Sequence, residues 1–155
     1  VDNEKQERTG AKKKKYLSRY INNLRKVERL ESKLDILKNR LTSIRSPSCS
    51  GMPRGGSPYT VEDMIVDVAD LETRIEGLRA KGRNIKREIL DYIDTLVNPV
   101  YAEILERQYI DDLSHTEIGK LLGHTTSTIG LYYRRAIAEL EDPPDPGEIP
   151  NTKGV

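Results

Sequence analysis

The chain has 155 residues, with 26 lysines and arginines against 25 aspartates and glutamates, and it is 33% charged and 35% hydrophobic. That length holds one compact domain, or a small domain with an elongated element, and the apolar content is lean for one thick core yet ample for two-faced helices. One cysteine, Cys49, excludes an intrachain disulfide framework and a cysteine-rich zinc site, and no stretch approaches the roughly twenty apolar residues of a membrane span.

No secretory apolar segment is present either, so a cytoplasmic protein is expected. The chain opens at Val1 without a methionine, and a trimmed or processed N-terminus is expected. The near-neutral total hides an uneven distribution. Residues 1–50 carry a net charge of +8, residues 51–97 and 98–140 each −2, and residues 141–155 −3. Eight tyrosines with no Phe or Trp suit small helix-packed cores with amphipathic edges.

Residues 1–15, VDNEKQERTGAKKKK, lack apolar periodicity, and a disordered or frayed basic start is expected. Within it Lys12, Lys13, Lys14 and Lys15 are candidates for phosphate or partner contact, or simply a solvated helix start. From Leu17 the apolar positions recur as Leu17, Tyr20, Leu24, Val27, Leu30, Leu34, Leu37, Leu41 and Ile44, the last five on a heptad seam. No Pro or Gly interrupts Lys12–Arg45, which predicts a helix of about 30 residues, roughly 45 Å long. One narrow stripe needs a partner.

The partner is the next periodic segment. Val61, Met64, Val68, Leu71, Ile75, Leu78, Gly82, Ile85, Ile89, Tyr92 and Leu96 alternate steps of three and four. Thr60 suits the N-cap with Asp63 three residues on, and Gly82 on the seam suggests a close backbone approach or a bend. Between the two segments, residues 46–58 hold three prolines and three glycines, a loop that reverses the chain. The expectation for 16–97 is an antiparallel, coiled-coil-like helical hairpin. Arg54 in its loop is a further candidate for phosphate or partner contact, although no nucleotide-binding glycine pattern surrounds it.

Residues 98–141 change character. Pro99 suits the first position of a helix running to about Tyr109. Ser114 followed by Glu117 is a capping box, Gly119 sits mid-helix where another helix can cross closely, Gly123 ends the short helix, and Thr125 caps the last one, whose buried side reads Ile129, Tyr132 or Tyr133, Ala136, Ile137 and Leu140. A short helix, a glycine turn and a second helix predict a helix-turn-helix that offers its second helix to the major groove of DNA. The candidate DNA-binding residues are Thr125, Thr126, Ser127, Thr128, Gly130, Leu131, Tyr133, Arg134 and Arg135. Hydroxyls and a helix N-terminus suit phosphates or base edges, and the two arginines suit the backbone. Residues 142–155, acidic and proline-rich, read as a disordered tail.

Residues 98–140, above all LSHTEIGKLLGHTTSTIGLYYRRAIAEL, resemble region four of the bacterial primary sigma factors, which reads the −35 promoter element. In that pattern Leu113, Ile118, Gly119, Leu122, Gly123, Thr125, Ile129 and Ala136 match structural positions, and Thr126–Thr128, Gly130 and Leu131 fall where DNA-facing residues lie. Sigma proteins usually carry bulkier charged residues where this chain has Thr-Ser-Thr. Residues 15–141 as a whole resemble small phage- and prophage-encoded proteins related to late transcriptional regulators of the RinA and ArpU type, with Ser50-Gly51-Met52-Pro53-Arg54-Gly55-Gly56 matching their loop. The resemblance implies a regulator of late or packaging genes in a Gram-positive host. No sigma region two accompanies it, so a self-sufficient sigma factor is not expected.

His115 and His124 lack zinc-site spacing and no carboxylate pair stands out, so neither an enzyme, a cofactor, a metal nor a small-molecule substrate is expected. The expected partners are double-stranded DNA, host RNA polymerase and a second copy of the chain. A competing expectation is an interaction protein that docks to polymerase or to another phage protein through the hairpin and the sigma-like module without reading DNA. The net charge of −2 over residues 98–140 implies that any grip on DNA needs the basic head, a second copy or polymerase.

Overall fold

The computed structural model describes residues 1–44 and 59–145. Arg54, Cys49, the connector 46–58 and most of the acidic tail lie outside the described residues, and the expectations attached to them lie there too. The described residues form six α-helices and no strand: α1 Asp2–Leu17, α2 Arg19–Ile44, α3 Val61–Ile93, α4 Pro99–Tyr109, α5 His115–Leu122 and α6 Thr126–Glu139. None of them is long and apolar enough to cross a membrane.

The start of the chain departs from the sequence expectation. In place of a frayed basic segment, α1 is helical from Asp2, with Asp2 and Glu4 in its first turn and Lys14 and Lys15 in its last. That order of charge complements the helix dipole. Lys13, Tyr16 and Leu17 are buried, on the i, i+3, i+4 face that periodicity counted from Leu17 onward cannot register. Nor does one helix run through Lys12–Arg45. The helical assignment pauses at Ser18, whose hydroxyl donates to the Lys14 carbonyl at 2.7 Å, a back-bond that commonly bends helices.

The chain divides into two compact units. The first comprises Val1–Ile21 and the residues from Asn84 onward. Its core joins Tyr16 and Leu17, the α3 residues Ile85, Ile89, Tyr92 and Ile93, then Leu96, Tyr101, Leu105 and Tyr109, and finally Ala136, Ile137 and Leu140. The unit therefore crosses the boundary at 97/98 that the composition suggests, because the last turns of α3 share a core with α4 and α6. Tyr16 and Tyr92 meet edge to face at 5.1 Å, a favoured aromatic geometry. The Arg19 guanidinium covers Tyr16 at 4.9 Å and pairs with Glu88 at 2.9 Å. The Tyr92 hydroxyl donates to the Glu141 carbonyl at 2.5 Å, fixing the chain just past α6. Burial, with Asp142 nearby, raises the Tyr92 phenol well above the ordinary tyrosine value.

The second unit is Asn22–Arg83. Val27, Leu30 and Leu34 pack with Ile75, and Val68, Leu71 and Leu78 are partly buried beside them. Partners fall in number along α3 as they rise along α2: Asn23 donates to the Leu78 carbonyl at 2.9 Å, and Lys38 pairs with Glu72 at 3.0 Å. Arg79 pairs with Glu31 as well. Gly82 is buried, and a Cβ there would stand 2.6 Å from the Asn23 amide nitrogen, the close approach its seam position suggests. Thr60 and Asp63 bond reciprocally at the start of α3, which holds the exposed Asp63 carboxyl below its ordinary value.

Candidate nucleic-acid interface

The segment from Asn98 to Leu140 is built by caps. The Asn98 side chain accepts from the Val100 N–H at 3.0 Å and Pro99 opens α4. Ser114 and Glu117 form the reciprocal box: the Ser114 N–H donates to Glu117 Oε2 at 2.7 Å, and the Glu117 N–H donates to Ser114 Oγ at 3.2 Å. The bond from the Ser114 backbone is the main reason that Glu117 ionises below its ordinary value. Gly123 closes α5 in the left-handed region, at φ 72 and ψ 33, a conformation glycine adopts without Cβ strain. Thr125 then caps α6, accepting from the Thr128 N–H at 3.2 Å.

Gly119 sets the distance between the two helices. It is buried, and a Cβ there would lie 2.6 Å from the His124 carbonyl oxygen and 3.6 Å from Ile129. Ile104, Ile118 and Ile129, all fully buried, lock α4, α5 and α6 together, with Leu113, Leu122 and Tyr132 packed around them. Those side chains fix which face of α6 turns inward: Ile129, Ala136 and Ile137 are buried.

The opposite face of α6 is open. Thr125, Thr126, Ser127, Leu131, Arg134 and Arg135 are exposed, and Thr128 and Gly130 are half-buried. Among the described residues neither Arg134 nor Arg135 makes an ion pair. The Thr126 hydroxyl lies 3.2 Å from that of Thr116 on α5, and the Thr128 hydroxyl 2.9 Å from that of Thr125. Ser127, Leu131 and Arg134 stand four and three residues apart, which places them on one stripe of the helix.

Tyr133, a candidate both for the buried side of α6 and for its DNA-facing side, turns inward. It is half-buried, its hydroxyl lies 2.7 Å from that of Tyr109, and its ring meets that of His115 at a tilt, 5.1 Å between centres. It stands four residues after the buried Ile129, so it belongs to the inward face. Burial, and then the bond to Tyr133, lifts the Tyr109 phenol well above the ordinary value. The histidines contact neighbouring side chains: half-buried His115 Nε2 is 2.9 Å from Gln108 Oε1, and exposed His124 meets Tyr132 edge to face at 5.6 Å.

The basic head divides as well. Lys13 is buried, and its ammonium donates to the Ile137 carbonyl at 3.1 Å. A cation there satisfies a free carbonyl in the last turn of α6 and faces the negative end of the helix dipole. Lys12, Lys14 and Lys15 remain exposed, with the Lys14 ammonium 5.8 Å from the centre of the Tyr133 ring. Lys14 and Arg134 both line a groove of about 860 Å³ between α1 and α6, together with Lys5 and Glu7. The sequence signal for Lys13 was its place three and four residues before Tyr16 and Leu17. No sequence signal pairs Lys14 with Tyr133, because their meeting depends on α1 docking to α6.

Charge is sorted by element. From His115 to Glu139 the chain carries Lys120, Arg134 and Arg135 against Glu117 and Glu139. The remaining acids of residues 98–140 are Glu103, Glu106, Asp111 and Asp112, on α4 and its connector. Arg107 pairs with two of them, Glu103 at 3.5 Å and Asp111 at 3.2 Å. The local deficit thus belongs to α4 and, for the larger part, to the connector that follows it, and α1 and α6 bring exposed cations into the same unit.

A family model described as "Protein of unknown function (DUF1492)" matches residues 41–141, well over half of the chain, and the chain belongs to that family. No curated protein and no solved structure matches it.

Proposed function

We propose that this DUF1492 member is a DNA-binding transcriptional regulator that reads double-stranded promoter DNA through a helix-turn-helix made by α5 and α6. The observation that carries the reading is the division of α6 into a buried Ile129–Ala136–Ile137 face and an open Ser127–Leu131–Arg134–Arg135 face, behind a Thr125-capped N-terminus. A capped helix N-terminus attracts a phosphate, short hydroxyl side chains let the helix approach the groove closely, and arginines one to two turns later reach the backbone. Lys12, Lys14 and Lys15 on α1 add cations beside α6, which answers the −2 net charge of residues 98–140.

In this reading α2 and α3 form an antiparallel helical hairpin that serves self-association or partner contact. The promoters are those of phage late or packaging genes, with host RNA polymerase as the collaborating machine. A second reading, docking to a protein without reading bases, is favoured by one observation: Leu121 on α5 and Leu131 on α6 are 61% and 38% exposed.

Binding of the full chain to duplex DNA, measured against salt, tests the first reading. Replacing Arg134 and Arg135 by Ala removes two phosphate partners and is expected to reduce the log–log salt slope by about 2, with helicity unchanged. Cognate-site binding with an unaltered slope would remove α6 as the reading element. Loss of polymerase capture on Leu121→Asp, with no duplex binding by the parent chain, would establish the second reading.

A further inference from the structure

The two helices of the second unit do not close their own seam. Burial ends at Leu34 on α2 and at Ile75 on α3. Beyond those points none of residues 35–44 and none of residues 61–74 is buried, although the apolar periodicity continues through Leu37, Leu41, Met64, Val68 and Leu71. Large apolar side chains stand open here: Ile36 is 53% exposed, Ile65 47% and Val66 58%, with Ile44, Tyr59 and Val61 beside them. A shallow groove of about 480 Å³ runs along α2 between Ile36, Arg40 and Ile44 and reaches Met64. Scattered exposed apolar residues need no explanation, but this many at the end of a thin two-helix unit, with a groove that Ile36, Ile44 and Met64 line together, mark an interaction surface.

Charge on this surface is split by helix. Residues 36–44 of α2 carry Lys38 and Arg40 and no acid, whereas residues 59–72 carry Glu62, Asp63, Asp67, Asp70 and Glu72 and no base. Lys38 is used within the chain, on Glu72. Arg40, Glu62 and Asp70 make no ion pair among the described residues. A basic apolar edge beside an acidic apolar edge is self-complementary under a two-fold axis, because rotation sets each edge against its opposite.

We infer that this end of the second unit is a homodimer interface, in which the 36–44 stretch of α2 packs against the 61–70 stretch of α3 in a second copy, forming a four-helix arrangement. Ile65 and Val66 of one copy then cover the Ile36–Ile44 groove of the other, and Arg40 faces the partner acids. Each seam that stops at Leu34 and Ile75 is completed by the second chain. A two-helix unit with one narrow stripe gains most from this, since two more helices turn half-buried leucines into core positions. The inference deepens the self-association part of the function proposed above, and its test needs no DNA.

The full chain, examined by sedimentation equilibrium at micromolar concentration, is expected to be a dimer. Ile65→Glu and Ile36→Lys, both at exposed positions, should each raise the dissociation constant at least about tenfold with helicity intact. Mixing the two variants in equal amounts provides the specific test. The mixed dimer has one unaltered α2–α3 contact and one in which the introduced Lys meets the introduced Glu, so dimer should return. A parent chain that stays monomeric, an Ile65→Glu variant that dimerises as tightly as the parent, or a mixture that stays monomeric would each overturn the inference. DNA binding by a monomeric parent chain would leave the α6 reading standing.

Discussion

The two units use one kind of building block, the amphipathic helix, to opposite ends. In the first, residues of α1, α3, α4, α5 and α6 contribute to the cores, and Leu17, Ile89, Ile93, Ile104, Leu105, Ile118 and Ile129 are fully buried. In the second, two helices meet along one stripe, and no large side chain is fully buried among its described residues. Three or more helices enclose a side chain on every side, whereas two leave each contact open to water at its edges. The teaching is that an equally regular heptad pattern yields a closed core in one place and an incomplete seam in the other, according to how many neighbours the chain supplies.

The largest difference should come from truncating apolar side chains. Ile93→Ala in the first unit is expected to destabilise by about 2–5 kcal/mol through lost transfer energy and a residual cavity. Leu41→Ala on the half-buried seam should lose only about 1 kcal/mol, in proportion to the area it covers. Denaturant midpoints at unchanged m-value check the contrast. Equal losses would mean that the seam is closed in solution, which the proposed dimer would also produce, so the comparison belongs at concentrations where the monomer dominates.

A smaller contrast concerns two buried glycines whose added Cβ would meet a neighbour at the same 2.6 Å. At Gly119 the neighbour is the His124 backbone carbonyl, which moves only with the turn, so Gly119→Ala should destabilise by about 1–3 kcal/mol. At Gly82 it is the far end of the Asn23 side chain, which donates to Leu78. There the helix-propensity gain of about 1 kcal/mol and the loss of the Asn23–Leu78 bond, also about 1 kcal/mol, should nearly cancel. Thermal unfolding of both variants decides whether the turn before α6 is as unyielding as the contact suggests.

The smallest expected effect is one of pH. The Ser114 N–H holds Glu117 below its ordinary value of 4.5. Because its folded value is depressed, its contribution to stability is present above the unfolded value and is lost as pH falls through the folded one. Glu117→Gln should therefore narrow the stability difference between neutral and acid solution, with the change confined to the acid limb. An acid limb identical to that of the parent would show that the box adds nothing in solution.

Much of the first unit's local structure was legible in the chain. Pro99, Ser114–Glu117, Gly123 and Thr125 act within three or four residues of themselves, so such signals are readable wherever they stand at fixed spacing. The inward Ile129 and Ala136 were legible by the same helical period. Between Tyr132 and Tyr133 the period left the choice open, because an amphipathic ring at the edge of a stripe turns in or out according to what faces it, for Tyr133 the side chains of Tyr109 and His115. The burial of Lys13 was masked by its charge: its place three and four residues before Tyr16 and Leu17 puts it on their face, but a lysine in a run of four reads as solvated.

The opening near-neutral charge can now be divided between what the residues alone determined and what contact decided. The sequence determined helices, their caps, the two seams and a basic head, since each depends on neighbours a few residues away. Only the tertiary structure decided that the head is a helix held to α6 by Lys13, and that the long seam stays half-open. These rest on pairs such as Lys13 and Ile137, 124 positions apart in the chain. No periodicity encodes such a pair, because its energy arises only when packing elsewhere has brought the two groups together.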